Sequence, residues 1–280
     1  MNFYESVLPV IVLYNQDITS SKGVETLIKT LDASNSRMKV FVYDNSKYAQ
    51  YEGDFIYKKL DVSYVHDSTN SGVSKAYNSG ASYARLTHKK WLLLLDQDTL
   101  FPDHFMGRYD QAVVENPGAK LIVPVLRTQY KQILSPCRYI HKKGRWLDDV
   151  EEGFMDSNLY SPVNSGMLID LDAFEEAGGY NEKVKLDFAD FQFIERFSKK
   201  NRSFYVMDMQ CIQDFSGFEN DKQKLKHRFY LFCDSARNCQ KNSASDHFWY
   251  FIVVTRRMAS LTLKHVDPSF IGIWISKYIL

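Results

Sequence analysis

The sequence predicts an α/β fold: a mainly parallel, doubly wound sheet flanked by helices, followed by a helical tail. Three observations carry this expectation. The first hundred residues alternate in the order β-α-β-β-α-β, which builds parallel sheets with helices on both faces. The strand-like runs are continuously apolar, as strands buried on both faces are. One of them, Trp91-Leu92-Leu93-Leu94-Leu95, stops at Asp96-Gln97-Asp98-Thr99. Two carboxylates thus fall at a strand's C-terminal edge, where open α/β sheets bind ligands.

The elements follow in order. Leu8 to Asn15 reads as the first buried strand through its β-branched run. Residues 19–33 place Val24, Leu27, Ile28 and Leu31 at helical spacing. Met38 to Ser46 is a second strand ending in Asp44-Asn45-Ser46, residues 47–59 read as a loop, and Val62 to Val65 as a short third strand. A small-residue helix opens at Asn70-Ser71-Gly72 and runs to Ala84, its Ala, Ser and Gly permitting close packing. Beyond the pivotal strand, residues 103–116 read as a helix stopped by Asn116-Pro117-Gly118, and Lys120 to Val125 as a strand. Residues 127–160 show no regular period and read as an irregular insertion. Val163 to Asp170 reads as a strand, followed by a helix to Ala177 that Gly178-Gly179 ends. Asp187 to Phe197 starts a helix whose acids suit its N-terminal dipole, Phe204 to Met209 is a short strand, and residues 221–242 form a basic, aromatic helix.

Composition excludes several classes. A net charge of +1 over 280 residues gives no case for nucleic acid binding. None of Cys137, Cys211, Cys233 and Cys239 forms a C-x-x-C pair, which argues against structural zinc and for free thiols in a reducing compartment. The first residues lack the basic and apolar regions of a signal peptide. No run reaches about 18 uninterrupted apolar residues, so no transmembrane helix is expected.

Asp96 and Asp98 stand two positions apart, so in an extended chain they point to the same side. Hard oxygen ligands so placed suit Mg²⁺ or Mn²⁺ bridging to a diphosphate; an Asx turn capping the strand explains the same pattern.

Several motifs then coincide. Val10 to Asn15, Val42-Tyr43-Asp44-Asn45-Ser46, Asn70-x-Gly72-x-x-x-Ala76-x-Asn78-x-Gly80, Asp96-Gln97-Asp98, Gly178-Gly179-Tyr180-Asn181-Glu182 with Asp187-x-x-Asp190 and Arg196, and Tyr230 with Arg237-Asn238 stand in one order. Over residues 8–240 the chain resembles the family-2 glycosyltransferases of GT-A fold, in particular their bacterial rhamnosyltransferase-like branch. Each piece alone is a weak signal; six in order are specific.

The resemblance implies a GT-A domain over residues 1–240, with nucleotide binding in about 1–100 and acceptor binding in about 101–240, and a tail over 241–280. It implies inverting transfer from a nucleotide-diphosphate sugar, dTDP-L-rhamnose by branch or a UDP-hexose, to a hydroxyl of a glycan or lipid-linked glycan of the bacterial surface. Asp190 is then the base, with a helix cap as its plainer role, and Asp187 orients the acceptor or tunes Asp190. Tyr14, Asn15, Asp44, Asn45, Asn70, Gly72, Asn78, Asp96 and Gln97 belong to the donor side, with Asp44 on the base N3–H or else in an Asx turn at the strand end, and Arg237 clamping the diphosphate. Asn78 and Gly80 serve equally as packing residues. Asn164, Ser165 and Gly166 face the sugars or close a loop, and the 127–160 insertion shapes the acceptor site. Asp96, Asp98 and Asp214 hold Mg²⁺ or Mn²⁺, Asp214 standing where the family often has a His.

The apolar tail with Arg256, Arg257, Lys264 and Lys277 fits a peripheral contact with the cytoplasmic membrane face, or a helix pair packed on the domain or on a second subunit. The expected location is cytoplasmic. A nucleotidyltransferase is the rival enzyme, but Tyr14 to Thr19 lacks the Gly-rich, basic loop that holds a triphosphate. A nucleotide-sugar binding protein without catalysis is the other rival; Asp98 and Asp190 together argue against it.

Overall fold

The computed structural model describes residues 2–213 and 221–280. Its main sheet is built around β1 (Val7–Leu13), which pairs in parallel with β2 (Met38–Asp44) on one side and β5 (Trp91–Asp96) on the other. Beyond β2 lie β4 (Leu60–His66), parallel, and β3 (Phe55–Tyr57), antiparallel. Beyond β5 come β13 (Leu168–Asp170), β7 (Leu121–Thr128), β14 (Ser203–Gln213) and β11 (Gly153–Asp156). β13 runs antiparallel to both neighbours, and β14 runs parallel to β7. Two short strands complete it: β6 (Thr99–Leu100) on β14 and β8 (Ile133–Ser135) on β7.

The chain leaves β1 toward β2 and β4, then returns through a helix to β5 on the opposite side of β1. This reversal opens a crevice at the C-terminal ends of β1 and β5, the position at which doubly wound sheets take ligands. The expected layers are present. Helices α2 (Lys22–Ala33) and α4 (Phe105–Glu115) cover one face, with Val24, Leu27 and Leu31 buried against β1 and β5 neighbours. The other face carries α3 (Val73–Leu86), α5 (Leu171–Glu176), α6 (Ala189–Phe197) and α7 (Lys222–Asn238). A four-residue helix, α1 (Phe3–Ser6), precedes β1.

Three expectations needed correction. The loop at 47–59 contains the edge strand β3. The strand expected from Val163 is confined to 168–170, because Gly166 turns back at φ +80° with its N–H on Leu94 O. The insertion is ordered: β9 (Cys137–Ile140), β10 (Lys143–Arg145) and β12 (Tyr160–Ser161) form a small antiparallel sheet of their own. Short strands interrupted by charged residues carry no readable period, which is why the sequence shows none.

In the tail, α8 (Ala244–His265) and α9 (Ser269–Trp274) fold back onto α7. Tyr250, Val254 and Phe270 are fully buried, Tyr250 edge-on to Phe188 and Phe270 edge-on to Phe229. The helix pair thus packs on the domain, one of the roles expected for it, while Phe248, Phe251 and Ile275 stay exposed. Among the described residues no helix is long and apolar enough to cross a membrane.

Candidate active site

The crevice begins at the turn that follows β5. The N-terminus of α2 holds this turn: Lys22 N–H and Ser21 Oγ both donate to the Gln97 carbonyl, at 2.9 and 3.1 Å. A methyl on Gly23 would lie 2.7 Å from the Asp96 carbonyl oxygen, so only glycine lets the helix approach. The Gln97 amide then bridges to the end of β1, accepting from Tyr14 N–H at 2.8 Å. Tyr14 and Asn15, at φ +51°, form the rim, with Asn15 N–H on Ser46 Oγ.

Asp96 sits at the floor, half-buried. Its carboxylate accepts from the Tyr77 hydroxyl at 3.1 Å and the Gln213 amide at 2.8 Å. Burial and the neighbouring Asp98 charge push its carboxyl up to about 7. Two crowded carboxylates are the environment a divalent cation relieves, so the oxygen donors of Asp96 and Asp98 fit Mg²⁺ or Mn²⁺. Among the described residues no group of three or more His, Cys, Asp or Glu gathers into a full cation site. Asp214, the third expected ligand, lies outside the described residues.

Asp190 stands in the first turn of α6, and burial pushes its carboxyl up to about 7, with the Asp187 charge adding to the rise and the Phe191 N–H, at 2.8 Å, opposing it. The helix begins after Phe188 at φ +66°, and Asp190 caps nothing but its own neighbour. Tyr77 and Tyr180 have rings 5.2 Å apart; burial first, and then the Asp96 and Asp190 charges, push both hydroxyls well above their ordinary range. The Asp96 and Asp190 charges thus act on the same pair of tyrosines. Tyr180 also donates to Asn164 Oδ1 at 2.7 Å, bringing Asn164 to the same wall.

Several expected residues serve the framework instead. Asp44 is fully buried and accepts from Ser46 N–H, the Gln50 amide and the Tyr64 hydroxyl, so it anchors the loop after β2 rather than presenting a face to a base. Its neighbour Asn45 is also buried, and the Asn45 Oδ1 has no hydrogen-bond partner. Asn78 donates to Tyr180 O and Glu182 and accepts from Tyr180 N–H, tying α3 to the 178–182 loop. Gly72 lets the start of α3 lie against Lys185, and Gly80 lets α3 pack on Val10 of β1. Asn70 turns the chain into α3 at φ +50°. Ser165 and Gly166 are buried, Ser165 Oγ accepting from Asp96 N–H and donating to Thr99, so both support the floor, the loop-closing role.

Arg237 is the largest departure. Its guanidinium is exposed and donates to the Leu280 carbonyl at 2.6 Å. Arg228, nine positions earlier, lies on the opposite face of α7, because nine residues at about 100° each advance half a turn beyond two full ones. There Arg228 makes a bidentate pair with Asp187, at 2.9 and 3.0 Å. Burial draws the Asp187 carboxyl upward, opposed by Arg228 and Arg257. Tyr77, Gln213 and Arg228 were not singled out by sequence reasoning as site residues. Tyr77 stood within the small-residue motif, and Arg228 within the basic helix, but neither position reveals which way it faces.

Known proteins bear on this geometry. Residues 10–236 match the profile of the family described as glycosyltransferase like family 2. The dTDP-rhamnosyl transferase RfbF of Shigella flexneri is 27% identical over 195 residues, covering 68% of this chain and 62% of that protein. The chain thus spans less than two thirds of that relative's length. S. aureus TarS 1–349 in complex with UDP superposes with a TM-score of 0.54 at 14% identity, over 92% of this chain and 75% of that segment. The same TarS segment in complex with UDP-GlcNAc gives 0.54 at 14%, over 97% and 79%. With a profile covering most of its length and its sheet order placing the acidic motifs at the crevice, the chain belongs to glycosyltransferase-like family 2 and has the GT-A fold.

Proposed function

We propose that the protein transfers a sugar, L-rhamnose from dTDP-L-rhamnose, to a hydroxyl of a growing bacterial surface glycan, with inversion at the anomeric carbon. The observation that supports this reading is Asp190: a carboxyl raised by burial to about 7, whose charge acts on the same pair of tyrosines as the Asp96 carboxylate. A base with a pKa near neutrality accepts a proton from the acceptor hydroxyl as that oxygen attacks. The bond from the anomeric carbon to the diphosphate oxygen breaks on the opposite side, and the nucleoside diphosphate leaves. A divalent ion held by Asp96 and Asp98 would supply charge neutralisation for that leaving group. Tyr77 and Gln213 fix Asp96 in place, and Asp187 raises the basicity of Asp190 by its charge.

The 27% identity to a dTDP-rhamnosyl transferase supports the choice of donor.

A thermal-shift panel tests donor and ion together. dTDP with Mn²⁺ is expected to raise the melting midpoint by several degrees, by the linkage of binding to stability. Asp98→Ala is expected to abolish the part that needs Mn²⁺. A larger shift with UDP would make the donor a UDP-hexose, and a shift indifferent to Mn²⁺ in both proteins would remove the ion from the reading.

A further inference from the structure

The tip of the hairpin joining β9 and β10 is a two-residue turn, His141-Lys142, with both residues at positive φ, +55° and +59°. Such a tip favours Asn-Gly over His-Lys, the Lys above all. Backbone held in an unfavourable region points to a task for the side chains. Here both side chains reach out of the hairpin to other elements. His141 stacks on Trp249 of α8, centroids 3.6 Å apart. Lys142, 12% exposed, places its Nζ 2.6 Å from Glu195 of α6 and 2.8 Å from Asp246 of α8.

The same hairpin runs along the helix that carries Asp190. Tyr139 donates to the very oxygen of Glu195 that Lys142 holds, at 2.8 Å, and its ring stacks on Phe191 at 4.6 Å. Phe191 N–H is the donor to Asp190. A methyl on Gly144 would lie 2.9 Å from the Phe191 ring, so the hairpin closes on this side chain without a gap.

We infer that the 137–145 hairpin is a latch, fastened to the tail helix α8 through His141 and Lys142, and that Lys142 is a positioning residue for Asp190. It acts through Glu195, Tyr139 and Phe191 and does not touch the reacting atoms. The tail thereby becomes part of the acceptor side of the site. This inference rests on the reading of Asp190 as the base.

The test separates latch from fold. His141→Asn with Lys142→Gly gives the turn its preferred residues, so the hairpin forms at least as readily while both fastenings are lost. In this double variant kcat for transfer is expected to fall about tenfold or more, with donor KM within about twofold, as for a positioning loss. Lys142→Met is expected to do the same, and Lys142→Arg to restore most of kcat. Amide hydrogen exchange read without any substrate is expected to quicken across residues 189–197 in the double variant and in Lys142→Met, and not in Lys142→Arg. Unchanged exchange there in the double variant overturns the latch, whatever the activity. Quickened exchange in a protein whose wild type transfers no sugar keeps the latch and fails the catalytic reading instead. Wild-type kcat in the double variant overturns Lys142 as a positioning residue.

Discussion

Replacing Asp190 with Asn is expected to lower sugar transfer by about 10²–10⁴-fold, the range that one positioned base supplies, while making the protein more stable at pH 8. Both effects come from the same burial. The Asp190 carboxyl titrates at about 7 in the folded protein, well above its ordinary value. Between the ordinary carboxylate range and pH 7, the folded state therefore binds a proton that the unfolded state has released. Stability falls as pH rises through that window, and above it the full penalty for a buried charge is present. Asn carries no such charge and still accepts from Phe191 N–H. At pH 8 the gain is on the order of 1–4 kcal/mol, and it fades as pH falls below about 4, where both states of the wild type become protonated. Melting midpoints of the two proteins between pH 4 and 8 measure this. A pH-independent difference, or a loss of stability in the variant, would mean that Asp190 is an ordinary helix residue. The wild-type kcat/KM should fall about tenfold per unit below pH 7, as the base is protonated.

Gly72→Ala is expected to cost about 3–5 kcal/mol of stability, a size reserved for a few mechanisms such as backbone strain and steric clash. Gly72 has φ +91°, where an L side chain is strained, and its methyl would meet Lys185 O at 2.2 Å. That obstacle is main chain and cannot swing aside. The contact it would break includes Val73 N–H on the same carbonyl, at 2.9 Å, and the Ser74 hydroxyl on Val184 O. These hold the start of α3 to the loop that leads into Asp187 and Asp190. Urea unfolding with an unchanged slope and a lowered midpoint is the expected result. A variant with a wild-type midpoint and weakened donor binding would make Gly72 a donor contact instead of an interlock.

The fold and the acidic centres were legible because their signals are local. The apolar run into Asp96-Gln97-Asp98 fixes both a buried strand and where its polar end emerges, and the alternation of elements fixes the crevice. The supporting residues were harder to read, because a motif gives spacing along the chain and not direction in space. Asn78 and Tyr77 are adjacent in sequence, yet one ties α3 to Tyr180 and the other reaches Asp96. Arg237 matched the late motif, but half a helical turn separates it from the face where Arg228 pairs with Asp187. Asp44 occupied the expected strand end, and only the three-dimensional packing brings Gln50 and Tyr64 onto its carboxylate. The insertion was opaque for a different reason: its short strands are stabilised by pairing and by Lys142, Glu195 and Asp246, residues more than fifty positions apart.

The central claim is that Asp190 and the Asp96–Asp98 pair make one inverting transfer site. The most direct measurement is the proton NMR spectrum of the product formed from dTDP-L-rhamnose, Mn²⁺ and a glycan acceptor, wild type beside Asp190→Asn. Acceptor-dependent release of dTDP, a product with the anomeric configuration opposite to the donor, and no product from the variant are the results expected. Retained configuration, or equal turnover by the variant, would contradict the account.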